Sequence, residues 1–181
     1  ATNSVFLTDV WISDEYVVGE VNKGWTYICE ALNYERFTFY TIAPLEQKFK
    51  ELRNLVDSLS RDGKPLNEIS DIRKKIIHLG TDVEIAKVLQ RKVLSIALQD
   101  EVPQTESAIF KLFSTKLHQK LANNAMDILG REGLFRKEYK HAHANGKWEW
   151  SYRSTLVDTI GAGTTEIQKN TIAKKALNLP L

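Results

Sequence analysis

Apolar residues recur along most of this chain at helical spacing, and the breaks between the runs carry glycine or proline. Residues 5–12 are the exception: they alternate weakly, are rich in Val, Phe, Trp and Ile, and predict a strand. Residues 13–23 are polar, contain Gly19 and predict a connection, with Trp11 and Trp25 packing where strand meets helix. A long helix is expected from Gly24 to about Arg61. It is apolar on several sides up to Ala43 and hence central and largely buried, and it kinks where Pro44 removes a backbone hydrogen bond. Beyond Pro44 the apolar positions thin to the one-sided stripe Leu45, Phe49, Leu52, Leu55, Val56 and Leu59, and residues 61–65 predict a turn.

Ile69, Ile72, Ile76, Leu79, Val83, Ala86, Val93 and Ala97 predict a second helix from about Asn67 to Gln99. Pro103 and Thr105 open a third, to about Leu129, with Ile109, Phe113, Leu117, Leu121, Ala125 and Ile128 on its stripe. Residues 130–150 predict an irregular connection. A final helix pair follows, the first helix from about Tyr152 to Ile160, joined to the second by a turn at Gly161 and Gly163. Thr165 and Gln168 have the spacing of a capping box, and Asn178 and Pro180 stop the last helix. Long helices with short links predict an all-α antiparallel bundle preceded by a short β segment, with Phe39, Ile76, Val83, Phe113 and Leu121 in its core.

Composition adds bounds. The 181 residues, 43% of them hydrophobic, suffice for one full core. A net charge of +2 with mixed signs leaves no nucleic-acid footprint. No apolar run reaches membrane-spanning length, and no secretory signal pattern is visible. The single Cys29 is expected to be a buried structural thiol; it excludes an intrachain disulfide and fits a reducing, cytoplasmic setting. The four His residues show no metal-site spacing.

One residue contradicts its surroundings. Ile28, Leu32, Glu35, Phe39 and Ile42 follow helical steps, which puts Glu35 on an apolar stripe. A carboxylate there is costly to ionise. That is the setting a base needs to abstract a weakly acidic proton, although an ion pair that merely orders the bundle has the same pattern.

Residues 159–173, TIGAGTTEIQKNTIA, followed by Ala176-Leu-Asn-Leu-Pro180, resemble the C-terminal signature of the acyl-CoA dehydrogenases. These flavoenzymes desaturate acyl thioesters between the α and β carbons. Val5–Val10, Val18-Gly-Glu20 and Lys23-Gly-Trp25 resemble that family's junction between its β domain and its helical domain. Ala31–Arg36 resembles the start of the first long helix, and Ile128–Gly133 a later glycine turn. The matches fall in the family's order and run nearly end to end.

The resemblance implies the C-terminal half of a protein about twice as long. Residues 1–23 would end the β domain, and residues 24–181 would form the helical domain. It also implies FAD, an acyl-CoA substrate, an electron-transfer flavoprotein or similar acceptor, and a dimer of dimers. Family members keep their catalytic Glu either in the slot filled here by Ala162 or on the first long helix immediately before an Arg. Glu35-Arg36 matches the second arrangement, making Glu35 the α-proton base, with Arg36 beside the substrate. Gly161, Ala162, Gly163, Thr164 and Glu166 are the implied flavin contacts.

Two contacts usually added by a partner subunit are altered. Leu59-Ser-Arg-Asp-Gly63 stands in place of Arg-x-x-Phe-Gly. Asp127 stands where a Gln is expected, and Arg131 replaces a Gly. These departures resemble the branch acting on bulky acyl chains, where some members pair a binding-competent subunit with a degenerate one. A non-catalytic, structural subunit of a hetero-oligomer is therefore the alternative reading.

Overall fold

A computed structural model describes residues 3–39, 41–99 and 101–180. The side chains of Asn33, Tyr34 and residues 36–39 lie outside the described set, so the positions expected for the Arg36 and Phe39 side chains do too. The elements run α1 (Gly24–Phe39), α2 (Ile42–Ser58), β1 (Ser60–Arg61), β2 (Lys64–Pro65), α3 (Ser70–Ala97), α4 (Gln104–Leu129), α5 (Lys147–Asp158) and α6 (Thr165–Lys175). The fold is the expected all-α bundle. Short links turn α2, α3 and α4 back on one another, and α4 is the hub, touching α1, α2, α3, α5 and α6.

The main core joins Leu45, Leu52 and Val56 of α2 to Leu79, Val83 and Ala86 of α3, and these to Leu117, Leu121, Ala125 and Ile128 of α4. Val83 and Leu121 are buried as expected; Ile76 and Phe113 are half-buried against the same cluster. Each fully buried aliphatic side chain here contributes about 1.5–3 kcal/mol. A smaller cluster around Val93 and Phe110 closes the end where α3 meets the start of α4.

Five local expectations change. The first helix breaks instead of kinking: α1 stops at Phe39 and α2 restarts at Ile42. Pro44 then lies in the first turn of α2, where a missing N–H costs nothing. Residues 5–12 form no ladder, because no other described strand lies beside them to supply hydrogen bonds. Val5, Phe6, Leu7, Trp11 and Trp25 are exposed, so the expected packing of the two Trp residues is not found. The strands that do form are the two-residue arms of a hairpin, β1 against β2, around Asp62-Gly63; both turn residues have positive φ, the geometry such a turn requires.

Third, α1 is not central. Its described side chains are exposed or half-buried, Ile28 and Glu35 exposed, Cys29 and Leu32 half-buried. It packs chiefly on α4. Fourth, α5 starts at Lys147, earlier than expected, after Gly146 in a left-handed conformation at its N-cap. This brings Trp148, 1% exposed, into the core from a stretch that reads as irregular. Fifth, the cap of α6 is Thr164, whose hydroxyl accepts from the Ile167 N–H at 3.3 Å, one residue before the expected Thr165. Among the described residues, no helix is long and apolar enough to cross a membrane.

Candidate functional site

The turn between α5 and α6 is held from below. The Ile160 and Gly161 N–H groups donate back to Val157 O, and the Thr165 N–H donates to Thr159 O at 3.0 Å. Ala162 and Gly163 between them adopt φ of 52° and 86°. Gly163 has no alternative: a Cβ there would stand 2.6 Å from Gln168 Nε2. That amide, fully buried, donates to Ala162 O at 3.1 Å and Gly163 O at 3.3 Å. Lys111 of α4, equally buried, donates from Nζ to Gly163 O at 2.7 Å.

Residues 161–165 are thus half-buried, fixed on their inner side and open on the outer. Glu166 is exposed in the first turn of α6; hydrogen bonds from its own backbone N–H and from the Thr164 side chain hold its carboxyl below the usual range. A rigid turn of small residues at a helix N-terminus suits close approach by a flat ring or an anionic group. Gly161, Ala162, Gly163 and Thr164 therefore fit a bound flavin nucleotide by the chemistry they present.

The two altered segments come together. The β1–β2 hairpin and the end of α4 line one pocket of about 350 Å³ with Ser60, Arg61, Asp127 and Arg131. Arg61 donates to Ile128 O at 2.5 Å, and Asp127 pairs with Lys75 at 3.1 Å, which offsets its charge.

Glu35 is exposed, so the burial expected from its stripe is not found within this chain.

The bundle also holds a polar cluster that sequence reasoning missed. Ser107, Lys111, Ser114, Thr115 and His118 follow helical steps along α4 and form a polar stripe beside the apolar one, the first four buried and His118 half-buried. His118 Nδ1 lies 2.5 Å from Asp158 Oδ2, at the end of α5. On its other side His118 Nε2 meets Lys48 Nζ from α2, which also donates to Ser151 Oγ of α5. An Nδ1–H tautomer satisfies both contacts: His118 donates to the Asp158 carboxylate and accepts from the Lys48 ammonium. Burial pushes the Lys48 amine down to about 8, opposed by the nearby Asp158 and Glu51 and reinforced by Lys147. Thr41, Pro44, Leu45, Ser114, Thr115, His118 and Asp158 line a second pocket of about 210 Å³ against this cluster. The sequence signal was the recurrence of polar residues at positions 107, 111, 114, 115 and 118 within an otherwise apolar helix.

The inner clamp on the turn has a measurable consequence. Met in place of Lys111 fills a similar volume but leaves Gly163 O with only the longer bond from Gln168. Lys111→Met is expected to destabilise the chain by about 1.5–3 kcal/mol, the range for a hydrogen bond to a charged group. Urea unfolding measures this, and a loss under about 0.5 kcal/mol, the size of an ordinary surface substitution, would mean that Gln168 suffices.

The family model for the acyl-CoA dehydrogenase C-terminal domain matches residues 22–177. Acyl-CoA dehydrogenase FadE26 of Mycobacterium tuberculosis is 26% identical over 183 residues, covering 99% of this chain and 46% of that protein. Acyl-CoA dehydrogenase IpdE1 of the same organism is 30% identical over 186 residues, covering 98% and 44%. Among solved structures, a ChsE4–ChsE5 complex from M. tuberculosis superposes with a TM-score of 0.79 at 26% identity, over 90% of this chain and 42% of that one. The Tcur3481–Tcur3483 steroid ACAD shares the fold, with a TM-score of 0.84 at 24% identity, over 97% and 44%. The chain spans less than half the length of these relatives.

Proposed function

Because the chain belongs to the acyl-CoA dehydrogenase family through its C-terminal domain, we propose that it is the C-terminal part of an FAD-dependent enzyme desaturating an acyl-CoA thioester, with Glu35 as the α-proton base. In this reading residues 24–181 are its helical domain and residues 1–23 the end of its β domain. The observation that carries it is the turn at 161–164, clamped from within by Lys111 and Gln168 and open outward. Gly161, Ala162, Gly163 and Thr164 would hold the flavin, and Glu166 would stand at the edge of that contact. FAD, when bound, supplies the acceptor for the β-hydrogen as a hydride.

Ala162 has no proton-accepting group, and Glu35-Arg36 resembles the family's alternative placement of the base, which supports Glu35 in that role. Glu35 then needs a cover that excludes water, which strengthens a carboxylate as a base. The exposed Trp25 and Ile28 of α1 and the exposed Val5, Phe6, Leu7 and Trp11 are the surface on which such a cover would seat, from the rest of a longer protein or from a neighbouring subunit. Arg36, next to Glu35, is assigned to the substrate. Electrons leave through an electron-transfer flavoprotein or a similar acceptor.

Asp127 and the altered hairpin favour a second reading, a non-catalytic subunit of a hetero-oligomer. It is supported by the ChsE4–ChsE5 and Tcur3481–Tcur3483 structures, each of which pairs two differently named chains. Anaerobic titration of the full-length protein with an acyl-CoA separates the two. Loss of the blue flavin absorption is the expected result. A protein that neither retains nor takes up FAD, alone or with its partner chain, is the structural subunit.

A further inference from the structure

The pocket of about 210 Å³ is lined by residues close in sequence to both halves of the proposed site. Asp158 ends α5 four residues before Ala162, and Thr41 follows Glu35 by six residues. On α4, Lys111 holds the turn, while Ser114, Thr115 and His118, one and two turns further on, line the pocket. Resting on the reading above, we propose that this pocket receives a hydroxyl-bearing segment of the acyl group, with the substrate hydroxyl donating to the Asp158 carboxylate that His118 orients.

The chemistry of the lining selects that group. His118 Nδ1 occupies Asp158 Oδ2, and the second carboxylate oxygen has no hydrogen-bond partner among the described residues. The Ser114 and Thr115 hydroxyls both donate to Lys111 O, at 3.2 and 2.9 Å, so what they offer the pocket are acceptor lone pairs. His118 is held on both nitrogens, by Asp158 and by Lys48. The pocket is thus largely apolar, with Pro44 and Leu45 in its lining, and Ser114, Thr115 and Asp158 present acceptors within it. A ligand carboxylate would meet the Asp158 charge. A purely hydrocarbon segment would desolvate Asp158 without replacing its water. A hydroxyl supplies the missing donor and carries no charge. The pocket's volume of about 210 Å³ gives room for a short chain segment.

Equilibrium binding to the full-length flavoprotein tests this with decanoyl-CoA and its monohydroxy isomers, the hydroxyl moved in turn from the γ carbon to the terminal carbon. One isomer is expected to bind about tenfold or more tightly than decanoyl-CoA, the worth of a hydrogen bond to a charged partner. In Asp158→Asn that ratio should fall to about threefold or less. Equal affinity across all isomers, or a preference that survives in Asp158→Asn, overturns the inference and leaves the enzymatic reading standing. Failure of every thioester, decanoyl-CoA included, to bind overturns both. If circular dichroism shows Asp158→Asn unfolded, the positional preference of the parent protein decides by itself.

Discussion

Glu35→Gln in the full-length flavoprotein is expected to slow flavin reduction by acyl-CoA about a hundred- to ten-thousand-fold, the usual contribution of a positioned base. Gln keeps the length and the hydrogen-bonding capacity of Glu but cannot accept the α-proton. Because Glu35 sits on an exposed face of α1, away from the core that joins α2, α3 and α4, FAD content and folding should change little. Ala162→Glu in that background is expected to restore part of the rate. Ala162 already has a positive φ, so a longer side chain adds no new backbone strain at that position. Stopped-flow measurement of the flavin absorption reads both effects. Reduction by Glu35→Gln at the parent rate would make Glu35 structural and move the base to another part of the full-length protein or to a partner.

A second large effect is expected from Lys48. Its amine lies near 8 in the folded chain against 10.5 when exposed, chiefly because burial disfavours the ammonium. Asp158, Glu51, Lys147, His118 and Ser151 are the charged and polar groups around it. Between pH 8 and 10.5 the unfolded chain therefore binds more protons at this site than the folded one, and stability contributed here rises with pH across that window. Below pH 8 both states hold the proton and the cost of the buried charge is constant. The parent protein should gain on the order of 3 kcal/mol over Lys48→Met as pH climbs through the window. Urea unfolding of the two chains at several pH values gives the difference curve. A flat curve would show that Lys48 keeps its charge at an ordinary cost, with Asp158 compensating fully.

The bundle was legible because its signals are local. Apolar periodicity located α3 and α4 to within a few residues, and the glycines at 161 and 163 located the turn. What periodicity could not supply is which face meets a neighbour. Ile28, Leu32 and Glu35 share a stripe, yet α1 packs chiefly on α4, and of the three only Leu32 is even half-buried. For the same reason residues 5–12 have strand composition without a strand, since a ladder needs a second backbone. The Lys48–His118–Asp158 cluster was illegible because its members come from three helices, and only packing brings positions 48, 118 and 158 together. Lys111 reads as one more surface lysine until α6 folds over it and Gly163 supplies the acceptor.

The polar stripe on α4 also restricts how this helix can vary. Purely apolar helix faces tolerate rotation and sliding, because one aliphatic contact replaces another at modest cost. Here Lys111 must reach Gly163 O while His118, seven residues on, reaches Asp158 and Lys48. One residue inserted or deleted between them turns everything beyond it by about 100° and strands one set of buried polar groups without partners. The length of α4 between 111 and 118 is therefore the least negotiable dimension of the bundle. Homologous chains that retain both polar anchors should vary in the loops around α4 and carry no insertion or deletion in that interval.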